Sequence, residues 1–151
     1  MSEKPHPLAT QSGLDYLQAM VRGEISPSPM NQTLNLRLIA AEQGCVTFEG
    51  TPGPNHLNPM ATTHGGWFGT ILDSALGCAV MSRLPQGSAY TTLEYKLNLI
   101  RGIPPGTKVH AIATAPHVGR STGVAQAELR SPDGKRLYAT ASTTCLVMKL
   151  S

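Results

Sequence analysis

Asp73 is the only charged side chain between Glu49 and Arg83. It lies in HLNPMATTHGGWFGTILDSALGCAV, His56–Val80, a stretch otherwise built of apolar, small and neutral polar residues. An ionised carboxylate is costly to bury unless it is paired or hydrogen-bonded, and no Lys or Arg stands one helical turn away to pair with it. A lone carboxylate in such a setting suits general acid or base work, or nucleophilic attack. The second group is the Gly65-Gly66 pair. At the start of a helix their N–H groups have no intrahelical acceptor, the dipole favours a negative oxygen there, and no side chain obstructs access.

Placed at 100° per residue, Gly66, Gly69, Thr70, Asp73 and Gly77 fall on one face of a helix over Gly65–Ser82, with Phe68, Ile71, Leu72, Ala75, Leu76 and Ala79 opposite. Donors and carboxylate therefore border one groove. Such parts serve acyl transfer: a carbonyl oxygen rests on the Gly65 and Gly66 N–H groups while Asp73 deprotonates a water or attacks the carbon itself, two routes the sequence leaves open. A thioester is the fitting substrate, because its thiol leaves without a strong general acid. A serine hydrolase is disfavoured by the lack of a G-x-S-x-G elbow. His56, His64 and Asp73 do not have the spacing of a metal-ligand motif, and hydrolysis of this kind needs no metal or redox cofactor.

These groups need a scaffold. The helix is apolar or small nearly all round, which predicts burial nearly all round, and its glycines weaken it enough to need surroundings that wrap it. Leu14, Leu17 and Met20 or Val21 predict a short amphipathic helix over Gly13–Arg22, after a loose segment 1–12. EISPSPMNQT reads as loop. Strands are expected at Leu34–Ala41, Cys45–Gly50, Thr92–Leu99, Lys108–Ala115, Ser121–Arg130 and Leu137–Met148. In the third, Leu93, Tyr95, Leu97 and Leu99 form one face and Thr92, Glu94, Lys96 and Asn98 the other. Asp133-Gly134 marks a hairpin. This order predicts an α+β domain over 13–151: an antiparallel sheet of about six strands with one long central helix lying on it.

Composition narrows the function. Of 151 residues only 14% are charged, low for a small monomer, so some surface is expected to be covered by another subunit. A net charge of +3 is too mild to argue for nucleic acid, and no run is long and apolar enough for a membrane span. Cys45, Cys78 and Cys145 are odd in number and sit in apolar contexts, which reads as free thiols of a reducing, cytoplasmic compartment.

The motif HLNPMATTHGGWFGTILDSALGCA resembles the H-x-N-x-x-G-x-x-H-G-G-(x)n-L-x-D pattern of hotdog-fold thioesterases, in the phenylacetic-acid-degradation group. TTLEYKLNLIRG, HVGRSTGVAQAEL and DGKRLYATASTTCLVM resemble that group's strands, so the likeness runs from about Asn31 to Met148. The resemblance implies a hotdog fold, a curled sheet around the central helix. It implies a homodimer with sheets joined edge to edge, often a dimer of dimers, and an acyl-CoA substrate of which coenzyme A is part. It implies that Asp73 acts as base or nucleophile on a thioester held by the partner's HGG turn, with Gly65 as oxyanion donor and Gly66 beside it. It implies that His64 and Asn58 order the turn, that a hydroxyl from Thr91 or Thr92 assists, and that Arg101 and Arg120 are candidates for the coenzyme A phosphates.

This chain departs from the pattern at three places. Ala61 stands where a glycine is usual, Gly77 where a related subgroup carries a helper hydroxyl, and Trp67 and Leu99 alter the expected acyl pocket. Plainer roles compete: His64 as a helix-start histidine bonded to backbone, Asn58 as a loop stabiliser, Trp67 as packing, the two arginines as solvated surface. The rival functions on the same scaffold are a non-catalytic acyl-CoA-binding module and a hydratase or dehydratase; the latter wants an Asp–His pair at a different spacing, which this sequence lacks.

Overall fold

The structure is a computed structural model that describes residues 5–151. Three helices and six strands follow one another: α1 (Gly13–Val21), α2 (Pro29–Thr33), β1 (Leu36–Glu42), β2 (Cys45–Gly50), α3 (Gly65–Met81), β3 (Ser88–Leu99), β4 (Val109–Val118), β5 (Thr122–Arg130) and β6 (Leu137–Lys149). The strands form one antiparallel sheet in the order β1-β2-β4-β5-β6-β3. The sheet curls around α3, which packs on β2, β3, β4, β5 and β6. This is the hotdog architecture that the resemblance implies.

Residue size explains the curl. Ile71, Leu72, Ala75, Leu76 and Ala79 of α3 are fully buried. Facing them, the inner positions of β4, β5 and β6 carry Ala111, Ala113, Ala125, Ala127, Ala139 and Ala141. Small side chains on the strands let a helix of large ones settle close to the backbone.

The N-terminal elements differ from the expectation. Residues 1–4 of the segment expected to be loose lie outside the described residues. Within the remainder of it, Pro7–Ala9 make a 3-10 turn that docks through Leu8, which is 2% exposed and whose carbonyl accepts the Gly87 N–H. Within the predicted loop, α2 forms because Ser28 caps it through the Asn31 N–H and Pro29 sits at its first position, a favourable start signal. Helix α1, capped by Ser12, packs on β1 and covers that edge of the sheet.

At the other edge, β3 carries a bulge. Its pairing with β6 shifts register between Thr92 and Glu94. Before the bulge, Tyr90 and Thr92 face α3; after it, Tyr95, Leu97 and Leu99 do. The uniform alternation expected for this strand is thus broken at Leu93, and Thr92 turns inward although Glu94, Lys96 and Asn98 point out. One extra residue exchanges the two faces of a strand. Thr143 of β6 staples the bulge by donating to the Glu94 carbonyl at 2.6 Å, and the Glu94 carboxylate accepts the Thr144 N–H at 2.9 Å.

Candidate active site

The turn before α3 is built by side chains that substitute for regular backbone pairing. Asn58 Oδ1 accepts the N–H groups of Met60 and Thr62, and its amide donates to Thr62 Oγ1 at 2.8 Å. That network holds Ala61 at φ 60°, a left-handed conformation that favours glycine. The alanine substitution therefore leaves the turn in glycine's geometry. His56 spends both ring nitrogens on the fold: Nδ1 accepts the Gly53 N–H at 2.9 Å and Nε2 lies 3.0 Å from the Thr33 carbonyl, to which it donates.

His64 is the N-cap of α3. Its Nδ1 accepts the Gly66 N–H at 2.8 Å, and its carbonyl accepts the Trp67 N–H at 2.9 Å. The expectation that Gly66 shares an oxyanion role with Gly65 is therefore corrected: the Gly66 donor is already spent. Among the described residues, the Gly65 N–H meets no acceptor and points out of the helix start. Trp67 is buried and donates to the Leu34 carbonyl, a packing role.

Asp73 lies two turns further along. Thr92 Oγ1 donates to its Oδ1 at 3.0 Å. Thr91 is exposed on the opposite side of β3, so of the two candidate hydroxyls only Thr92 reaches the carboxylate. The helix is not buried all round as expected. Gly66 is exposed and Thr70, Asp73, Ser74 and Cys78 are half-buried, because the sheet covers only the opposite face. Asp73, Ser74 and Cys78 of this stripe border a cavity of about 450 Å³ roofed by α1 and α2, with Leu17, Met20, Phe48 and Met81 on its apolar side and Asn31, Ser74 and Tyr90 on its polar side. Ser74 donates to Asn31 Oδ1 at 3.3 Å.

Electrostatics disfavours the ionised forms of Cys78 and Tyr90 in this cavity. Burial, and then the charge of Asp73, push the Cys78 thiol up to about 12, so it stays protonated and is a poor nucleophile. Burial likewise raises the Tyr90 phenol well above its ordinary value, keeping it neutral. Tyr90, Asn31 and Ser74 went unread in the sequence; the available signal was Gly77, in phase with Asp73 and too small to fill its place.

A single chain does not unite all the candidate residues. Gly65 and Asp73 are eight residues apart in α3, about 12 Å along the axis. Arg101 and Arg120 are both exposed and sit at opposite ends of the sheet, Arg101 beside Tyr138 and Arg120 beside Thr122, which pairs with Leu146.

A family profile described as the Thioesterase superfamily matches residues 60–138, which spans the Ala61–His64 turn, α3 and the strands through β5. The chain belongs to the thioesterase superfamily. It is a thioester hydrolase by family. Among solved structures, the thioesterase is similar to a phenylacetic acid degradation-related protein from Ralstonia eutropha, with 27% identity, a TM-score of 0.77, and coverage of 87% of this chain and 98% of that one. The PaaI protein of the E. coli phenylacetic acid degradation operon shares the fold, at 20% identity and TM-score 0.78 over 93% of this chain and 100% of its own. So does a hypothetical thioesterase from Streptococcus pneumoniae with coenzyme A, at 24% identity and TM-score 0.69 over 78% of this chain and 89% of its own. No curated protein matches the sequence. No helix of the described residues is long and apolar enough to cross a membrane.

Proposed function

We propose that this thioesterase hydrolyses acyl-CoA esters of small or medium acyl groups, aromatic ones included, in a site completed by a second copy of the chain. The observation that carries this reading is Asp73: an accessible carboxylate, fixed by Thr92 through one oxygen, with its other oxygen free over a cavity whose apolar wall suits an acyl group. The Gly65 N–H polarises the thioester carbonyl. Asp73 takes a proton from the attacking water, and the thiolate of coenzyme A leaves. His64 and Asn58 hold the turn that aims the Gly65 amide. The reaction uses no metal or redox group; coenzyme A enters and leaves with the substrate, as it accompanies the pneumococcal fold relative.

The geometry of β3 supports a second copy. It is an edge strand with no neighbour on its outer side, and Leu93, Tyr95, Leu99 and Ile100 on or beside it are 59%, 45%, 52% and 53% exposed. An open apolar edge invites pairing with another strand. Helix α3 runs antiparallel to β3: Gly65 lies beside Leu99, Asp73 beside Thr92 and Gly77 beside Tyr90. A two-fold axis near the middle of β3 would bring the Leu99 end of one protomer's strand beside the Thr92 end of its partner's, and so bring each Gly65 amide towards the level of the other protomer's Asp73. The same pairing carries Arg101 to the sheet end where the partner's Arg120 stands, giving one coenzyme A two cations. Two such dimers back to back would make the tetramer. The free cysteines fit a reducing cytoplasm.

The test is thiol release over a panel of acyl-CoA esters with wild type and Asp73→Asn. Wild type releases thiol from at least one small or aromatic ester, and the variant loses on the order of 10²–10⁴ in kcat, as expected for removal of a general base. Tight acyl-CoA binding without thiol release would identify a binding module instead, and hydration of an enoyl-CoA a hydratase.

A further inference from the structure

We propose that the Tyr90 hydroxyl holds the attacking water against Asp73, as the second hydroxyl of the site beside Thr92. The inference rests on the reading of Asp73 as general base and extends it to a residue on the facing strand. Tyr90 and Thr92 are two residues apart on β3 ahead of the bulge, so both point at α3. Thr92 meets Asp73, and the Tyr90 phenol lies over Gly77, one turn further along the same helix face. A Cβ at Gly77 would stand 2.5 Å from Tyr90 Oη and 2.7 Å from Cε2, so the glycine is what admits the ring. Side chains four apart on a helix have Cβ atoms about 5–6 Å from one another. With Oη in the place of the second, hydroxyl and carboxylate are about one water's span apart.

The hydroxyl has no other occupation. Among the described residues it makes no hydrogen bond, and no sealed side-chain polar atom is left without a partner, so it opens onto the cavity it borders with Asp73 and Thr92. Burial keeps it a neutral phenol that can both donate and accept. A water between Tyr90 Oη and the free Asp73 oxygen donates one proton to the carboxylate and is held in place by the phenol. Attack moves that proton to Asp73, forms the bond from water oxygen to carbonyl carbon and shifts the carbonyl π electrons onto its oxygen; collapse of this adduct breaks the C–S bond, and the departing thiolate recovers the proton from Asp73.

The test uses full-length Tyr90→Phe, which keeps the ring over Gly77 and removes only the hydroxyl, with an ester that wild type hydrolyses and Asp73→Asn does not. A failed result then counts against Tyr90 alone. We expect kcat to fall about tenfold with KM within about twofold and the thermal midpoint unchanged. In the Asp73→Asn background the same change should leave residual turnover unaltered, because the two groups act on one water. An unchanged kcat, a shift in KM or acyl preference at constant kcat, or an equal loss in both backgrounds would overturn the proposal.

Discussion

In the proposed mechanism the two oxygens of Asp73 have different work. Oδ1 accepts the Thr92 hydroxyl, which fixes the plane of the carboxylate, and Oδ2 is left for a proton from water. Without that bond the group can turn about its own χ2, and the fraction of time spent in a productive pose falls. Thr92→Val keeps the shape and removes the donor, so kcat should drop about tenfold, the worth of one hydrogen bond to a charged group. Thr91→Val, on the solvent side of the strand, should leave kcat within experimental error. Steady-state kinetics of the pair checks this, and equal effects would refute the assignment of the hydroxyl. The candidate residues Asp73, Gly65, His64 and Asn58 were legible because each stands out from its background: a charge in an apolar stretch, or glycine and polar residues where a helix begins. The choice between Thr91 and Thr92 was not, since it depends on which face of the strand each occupies. Nor was the loss of the Gly66 donor, since nothing in the local sequence says which way the His64 ring turns.

At the scale of elements, what hid Thr92 is the bulge in β3. Alternation from Thr92 to Leu99 reads as one continuous face, and only the pairing with β6 reveals the extra residue at Leu93. The bulge has its own support in Thr143, which is buried and donates to the Glu94 carbonyl. Thr143→Val leaves that carbonyl without its donor, at a cost of about 1–3 kcal/mol. We expect a lower denaturation midpoint and, because the bulge aims Thr92 and Tyr90, a loss in kcat at temperatures where the variant is still fully folded. Urea unfolding together with kcat measured well below the transition separates the two effects; a destabilised variant with full kcat would show that the bulge does not aim these residues. The other elements were legible to within a few residues, because periodicity and turn residues agree with the tertiary contacts there. The exceptions, α2 and the packed turn at Pro7–Ala9, are too short to show a period. The first rests on a Ser-Pro start and the second on docking of Leu8.

Across the whole molecule, the separation of Gly65 from Asp73 poses the choice between a site within one chain and a site shared by two. Gly65→Pro is a clean probe of the amide. Proline is favoured at the first helical position, His64 already has the extended ψ of 139° that a following proline requires, and a Cβ at Gly65 would meet only Leu99 Cδ1 at an ordinary 3.4 Å. The variant loses one N–H and keeps the helix, so its turnover should fall by about 10²–10³. Asp73→Asn removes the other half of the site. If each site takes its amide from one protomer and its carboxylate from the partner, a hybrid of the two variants contains one intact site and one doubly defective site. Unfolding and refolding an equal mixture should then restore about a quarter of wild-type activity, since random pairing makes about half of the dimers hybrids and each hybrid has one site of two. If both groups served a site within one chain, every chain in the mixture would carry a defect and activity would stay at the level of the separate variants. The mixture therefore tests the pairing of β3 edges through chemistry, and a flat result would place the oxyanion donor for Asp73 elsewhere in its own chain.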